Sequence, residues 1–277
     1  MQGSLMLDKV FYMLTVEYSL ILATTQEHFE AVKEIRNDVI VNHYPDVEEC
    51  KQYVFSQDDE QSFIYLLQHN ETTKYVGSVR IFFVNAHTPV KKIPMEKDLH
   101  IKGIEHLTQL LPICEISRFA LIKNQVKHNE FSELQLRTYL SLALMCATRI
   151  NFLLYHYRKM FAIMERSLHR ILKRQSVSFH SIGDPIDFHG VRFPFVINKE
   201  DLSVAIEKTE GTMGQLTIYY LKELCENPEP FLHFIDNHPY LKRSDIQFDR
   251  MTQLFKTHGD TVSMERLLGM KHSNIKD

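Results

Sequence analysis

The sequence predicts an α/β fold: a mixed, mostly antiparallel sheet flanked by helices, with an appended C-terminal helical segment. Three observations carry this. Short runs rich in β-branched and aromatic residues alternate with segments whose apolar residues recur at helical spacing. Two such runs, Ser62 to Leu67 and Tyr75 to Val84, are separated by the turn-forming stretch His69 to Lys74 and read as an antiparallel hairpin. From Lys199 onward the pattern is helical, broken at Pro228, Pro230 and Pro239.

In chain order, Val10 to Leu14 follows Asp8 and Lys9 without a cleavage-site pattern, so it is read as a short amphipathic lead-in and not an export signal. Tyr18 to Ala23 is a strand. Thr24 and Thr25 are candidate caps for a helix carrying Phe29, Val32, Ile35 and Val39. Asn85 to Pro112 holds three of the nine prolines and a helical patch around Ile104 to Leu111. A connection this long is usually functional, and here it is expected to shape a pocket wall or entrance. Ile113 to Ile122 is the next strand, followed by a buried helix from about Leu134 to Leu154. Arg137 and Arg149 interrupt that helix, whereas a membrane span needs ~20 nearly uncharged residues. Met160 to Met164 is a strand and Glu165 to Gln175 a helix. Val177 to Ile182 and Val191 to Ile197 are the last strands, with turn chemistry at Gly183-Asp184-Pro185 and His189-Gly190. The expected division is residues 1–198 as the α/β unit and 199–277 as the helical extension.

With 277 residues, 44% apolar and 24% charged, the chain can bury a full core. Thirty-two Lys plus Arg against 35 Asp plus Glu leave −3, no field for gripping nucleic acid or an anionic membrane. Cys50, Cys114, Cys146 and Cys225 lie far apart with no C-x-x-C pair, which fits a reducing cytoplasm. Fifteen histidines form no H-E-x-x-H or other metal-spaced cluster, and no metal is expected.

The most informative segment is Ile113 to Ile122 (I-C-E-I-S-R-F-A-L-I), an apolar strand that also carries Glu115, Ser117 and Arg118. Burying charge in a sheet is costly unless it is paired. Strict alternation places Glu115 and Ser117 on one face and Arg118 on the other, so all three serve one site only if the strand bulges near Ser117. The alternative is an edge strand with Glu115 and Arg118 in solvent.

E-I-S-R-F-A at Glu115 to Ala120 resembles the acyl-homoserine-lactone synthases and their relatives in the GNAT acyltransferase superfamily. I-R-N-D-V at Ile35 to Val39, Asp59 and Ser62 in D-E-Q-S, and V-G-S-V-R at Val76 to Arg80 stand where those families carry L-R-x-x-V, Y-D-x-x-S and V-G-x-x-R. A closer resemblance is to the N-acyl amino acid synthases and exosortase-associated acyltransferases. It rests on I-P-M-E at Ile93 to Glu96, A-I-M-E-R-S-L-H-R-I-L-K-R at Ala162 to Arg174 and I-G-D-P-I-D-F-H-G-V-R-F-P at Ile182 to Pro194. The resemblance covers roughly Tyr18 to Ile197. The chain departs from it at Asp58-Asp59, where tyrosine-aspartate is usual, and at Ser56, where a second acidic residue is usual. It also contains no tryptophan, which favours the amino-acid branch.

The resemblance implies a GNAT fold and an N-acyltransferase that moves a long acyl chain to the amine of an amino acid or similar small amine. Such transfer needs a thioester carbonyl held beside a neutral amine, a base for its proton and donors for the oxyanion. Glu115 is the candidate base, Ser117 a hydrogen-bonding group, and a backbone N–H near Phe119 or Ala120 the oxyanion donor. Arg118 is expected to anchor Asp59 or another carboxylate and not to touch substrate, with Arg36 and Arg80 organising the site or binding the carrier, or else serving as surface or helix-cap residues. Phe82, Leu142, Met145 and Phe152 are candidate walls of an acyl tunnel, with plain core as the alternative. No cofactor is expected to be bound. The segment Lys123 to Glu130 contains no glycine, unlike the pyrophosphate-binding turn of coenzyme A acetyltransferases. This favours acyl carrier protein over coenzyme A as donor, with Lys123, Lys127, Arg137 and Arg158 as possible contacts for its acidic surface. Two alternatives stand beside this reading: an acyl-homoserine-lactone synthase using S-adenosylmethionine, and a non-catalytic acyl or carrier-protein binding module.

Overall fold

β1 (Tyr18–Leu22), β2 (Ser62–His69), β3 (Tyr75–Val84), β4 (Ile113–Leu121), β5 (Lys159–Met164), β6 (His180–Ser181), β7 (Ile186–Asp187) and β8 (Val191–Asn198) are the strands among the described residues. In the computed structural model these residues are 8–44, 47–97, 99, 101, 104–122, 128–174, 177–201 and 212–259. The sheet order is β1-β2-β3-β4-β5-β8-β6, with β7 paired to β8 beside this path. Every pairing is antiparallel except β4 with β5. The parallel ladder runs from Ile113↔Lys159 to Ile116↔Ala162 and stops there, so the C-terminal halves of β4 and β5 separate. β4 is a central strand and Glu115 is 4% exposed, which removes the edge-strand alternative.

Helix α1 (Gln26–His43) covers one face of the sheet. Its first turn is closed by Thr25, whose side chain accepts from the His28 N–H at 3.2 Å. It buries Val32, Ile35 and Arg36 against the sheet, where Ile64, Leu66 and Ala120 complete a small apolar cluster. Helix α2 (Glu133–Tyr155) lies on the other face. Its start is a capping box in S-E-L-Q: Ser132 and Gln135 satisfy each other's backbone N–H. From Leu142 to Tyr155 every residue of α2 is buried, as expected of a helix apolar on nearly all sides.

Helix α3 (Arg166–Arg174) follows β5. The apolar run beginning at Val177 forms only the two-residue strand β6. The Val177 N–H is used by Leu172 O to close the end of α3, so Val177 and Phe179 are buried without being strand. The brief β7–β8 hairpin, where the sequence suggested only a turn, forms because His189 and Gly190 take positive φ (+52° and +103°). The Asn85–Pro112 connection contains helical turns at Pro94–Lys97 and Glu105–Thr108.

Helices α4 (Thr212–Glu226), α5 (Glu229–Asn237) and α6 (Phe248–His258) share the main apolar cluster with the sheet and α2. Tyr220 donates to Leu14 O at 2.6 Å, and the Gln247 N–H to Leu154 O at 2.9 Å. The lead-in is helical from Asp8, and Val10, Met13 and Leu14 are buried.

Two stability predictions follow from this packing. A Cβ on Gly77 would sit 2.5 Å from Leu121 Cδ2 and 3.1 Å from Ala120 O. Gly77→Ala therefore overpacks the β3–β4 contact and should cost about 1–3 kcal/mol, read by denaturant melting. The second concerns His156, which caps α2 with φ +51° and accepts at Nδ1 from Lys199 Nζ at 2.7 Å. Burial, then the charges of Lys199 and Arg250, push its pKa down to about 4. The unfolded chain takes up that proton first, near pH ~6.5, so stability falls as pH drops from there toward 4. His156→Asn, which tolerates the same backbone, should flatten that limb of a melting-temperature profile against pH.

Candidate active site

The site is built on a β-bulge. Gly77 faces Leu121 and Ser78 faces Ala120, but Arg80 faces Ser117, so Val79 stands opposite both Arg118 and Phe119. Arg118 takes φ +52° to absorb the extra residue. The bulge reverses the alternation along β4. Cys114, Ile116 and Leu121 join the α2-side cluster with Phe119 packed on it, whereas Ala120 joins the α1-side cluster. Glu115, Ser117 and Arg118 thereby come to one cleft, through the bulge that a single site needs.

Glu115 Oε2 accepts the Met95 N–H at 2.8 Å, so the helical turn at Pro94–Lys97 fixes the carboxylate. Beneath the bulge lies a buried ion cluster. Asp59, its side chain fully buried, accepts from Arg36 Nη1 at 2.9 Å and from the Ser56 N–H at 2.8 Å. Arg36 Nη1 also donates to Val54 O at 3.0 Å. Arg80 Nη1 stands 3.7 Å from the same Asp59 oxygen, and Arg80 Nε donates to Ser117 Oγ at 3.0 Å.

The expected Arg118–Asp59 anchor is not formed. Arg36 holds Asp59, because I-R-N-D-V aims that arginine from α1 at the sheet, while the bulge carries Arg118 over the Tyr53 ring at 4.6 Å. Among the described residues no carboxylate forms an ion pair with Arg118. Burial, then Arg80 and Arg36, push its pKa down to about 10. Burial pushes Arg36 down to about 10 as well, with Asp59 opposing.

Where β4 and β5 separate there is a cleft of about 610 Å³. Glu115, Ser117, Arg118, Phe119, Arg80 and Met145 line it, together with Arg137 and the β5 end from Ala162 to Glu165. Pro94 and Met95 form part of its wall, the role expected of the long connection. An annex of about 70 Å³ continues from it, bounded by Arg36, Ala120, Tyr44, Cys50, Tyr53 and His189. A depression of about 700 Å³ outside α1, lined by Glu27, Glu30, Glu34 and Asp38, holds none of the candidate residues.

Phe82 and Phe152 are correctly read as apolar, but they are core and do not line the cleft. Each points into a layer already filled by its neighbours. Leu142 is likewise core. Arg158 is exposed at the start of β5, the end away from the splay, and Lys123 and Lys127 lie outside the described residues. Sequence reasoning missed Tyr44, Tyr53 and Cys50, which no motif signalled, gave no role to Arg192 although it lies in the Ile182 to Pro194 motif, and read His189 as a turn residue with substrate contact as the alternative. His189 reaches the annex, with Nδ1 3.4 Å from Cys50 Sγ. Among the described residues no group of three or more His, Cys, Asp or Glu is arranged to hold a metal, and no helix is long and apolar enough to cross a membrane.

The sequence profile of autoinducer synthases matches residues 6–194, more than half of the chain. The chain belongs to the autoinducer synthase family. As a member it is an enzyme, an acyltransferase, and the binding-module alternative gives way. The family match ends inside β8, so α4 to α6 lie beyond it. No curated protein matches the chain. Among solved structures, it is similar to FeeM, an N-acyl amino acid synthase from uncultured soil microbes. FeeM is 10% identical, with 68% of this chain and 94% of that one covered at a TM-score of 0.48. BjaI, a CoA-dependent acyl-homoserine lactone synthase, is 20% identical, with 69% and 88% covered at 0.43. The acyl-homoserine-lactone synthase LasI is 12% identical, with 65% and 89% covered at 0.40.

Among the described residues Asp59 is the one carboxylate that pairs with Arg36 and Arg80, so its removal leaves these buried cations without it. Asp59→Asn, unchanged in shape, should lower unfolding free energy by about 3–5 kcal/mol in denaturant titration.

Proposed function

We propose that this autoinducer synthase family member transfers a fatty acyl group from acyl carrier protein to the amine of an amino acid or similar small amine, with Glu115 as general base. The observation that carries the reading is a buried carboxylate, fixed by the Met95 N–H, in the wall of a cleft opened by two separating strands. Beyond Ile116 and Ala162 the facing edges of β4 and β5 no longer pair with each other, and a thioester arm fits there as an added strand would. The neutral amine attacks the thioester carbonyl and Glu115 takes its proton, directly or through one water. A backbone N–H at Phe119 or Ala120 stabilises the oxyanion, which collapses to amide and expels the carrier thiolate. Ser117, held by Arg80, positions this bulge.

Arg80, Arg118, Arg137 and Arg192 outnumber Glu115 and Glu165 around the cleft, which suits an anionic phosphopantetheine arm. The absence of glycine from Lys123 to Glu130 supports the carrier protein over coenzyme A. We place the acceptor at the annex, where Arg118 forms no ion pair with a described carboxylate and is suited to forking with that of an amino acid. The four dispersed cysteines support a cytoplasmic setting and no bound cofactor is invoked.

Glu115→Gln keeps an acceptor for Met95 but not the base, and should lower kcat/KM by about 10²–10⁴-fold with the fold unchanged. Mass spectrometry of organic extracts from bacteria expressing the wild type or Glu115→Gln identifies the product. A long-chain N-acyl amino acid present only with the wild type supports the reading. An acyl-homoserine lactone would instead establish the second reading, which the autoinducer synthase profile favours. Neither product, in a host supplemented with amino acids, counts against the amino-acid acceptor.

A further inference from the structure

Arg149 sits in the middle of α2, 2% exposed, and the mechanism above does not use it. Its Nε, Nη1 and Nη2 are all buried without a hydrogen-bond partner, and no described carboxylate forms an ion pair with it. Arginine stays charged in proteins, so this is an uncompensated cation in an apolar interior. Burial lowers its pKa, and among the described residues the neighbouring Cys146 opposes that shift.

Its surroundings say what is missing. Arg149 lines an inner cavity of about 10 Å³ together with Met145 and Phe179, and these two residues also line the large cleft. The cavity thus adjoins the cleft, the side chains of Met145 and Phe179 standing between them. Met145 and Arg149 are four residues apart on α2, stacked on one helix face about one turn of ~5.4 Å deeper. An acyl chain with its carbonyl beside Glu115 that runs inward past Met145 has its far end directed at the guanidinium. At about 10 Å³ the cavity holds no more than about one water, so a longer occupant must displace Met145, a side chain with three rotatable bonds.

We propose that Arg149 is a carboxylate receptor at the end of the acyl channel, making the preferred acyl group one derived from an α,ω-dicarboxylic acid. The inference rests on the cleft being the acyl site. The acyl group's distal carboxylate supplies both the missing charge and a bidentate acceptor for the guanidinium. A plain alkyl terminus leaves the cation bare.

Calorimetric titration of the full chain tests this. The probes are pantetheine monothioesters of dicarboxylic acids of about six to fourteen carbons, against plain acyl-pantetheines of equal length. The wild type should bind the best dicarboxylic thioester at least about tenfold more tightly than its plain counterpart. Arg149→Met should reverse that order, and Arg149→Lys should keep its direction with a smaller ratio. Arg149→Met should also melt higher, because a buried unpaired charge is gone. The same ranking in wild type and Arg149→Met, with plain chains bound by both, overturns the assignment and leaves the acyl cleft standing. Binding of neither series overturns the cleft reading and this inference together. Stabilisation of the wild type alone by added sodium chloride, without any preference for the second carboxylate, means a small inorganic anion fills the site and overturns the dicarboxylate assignment. A lower melting temperature for Arg149→Met with loss of both ligand series assigns Arg149 a structural role and overturns it as well.

Discussion

The Asp59 carboxylate is the point on which the site depends. It is buried without solvent, held by the Ser56 N–H on one side and by Arg36 on the other, with Arg80 close behind. Through Arg36 it ties α1 to the turn before β2, and through Arg80 it reaches Ser117 at the bulge of β4. A charge buried this deeply is tolerated only with partners, and its partners come from three separate elements. Removing it would loosen the seating of α1 and the side chain that supports the bulge at the same time.

The bulge and the end of the β4–β5 ladder are two parts of one device. A regular strand would send Arg118 to the α2 face and leave Glu115 and Ser117 without it. One residue at positive φ brings all three to the same side, just where the neighbouring parallel strand moves away. The sheet thus opens a cleft through its middle with Glu115, Ser117 and Arg118 in one wall, and the paired remainder of the two strands keeps that wall rigid. Arg118 is left over an aromatic ring, so its charge remains available to the cleft.

The C-terminal helices bear on the same geometry from behind. α4 packs on α2, and Met213 closes the inner cavity in which Arg149 lies. The main apolar cluster extends from the lead-in through the sheet and α2 to α6 without a break. The helix carrying Met145, which lines the cleft, is therefore buried on its far side by residues beyond the family match, which is why α2 can be apolar almost all round.

What the sequence by itself determined is most of the elements, because these are written in local periodicity and caps, whereas the run from Val177 and the β7–β8 hairpin are shaped by their neighbours. The hairpin at Ser62 to Val84 and the apolar run of α2 need no partner to be read. Glu115 was legible too, and so was the choice between a bulge and an edge strand, since ionisable groups on opposite faces of an apolar strand need one or the other; the central place of β4 decided it. Only the tertiary structure decided which arginine holds Asp59, because Arg36, Arg80 and Arg118 are chemically equal until α1 is laid across the sheet. It alone separated Met145, which faces the cleft, from Phe82 and Phe152, which face filled layers. The same holds for Tyr53, His189 and Arg149: their roles follow from what lies opposite them across long stretches of chain, and no local pattern encodes that.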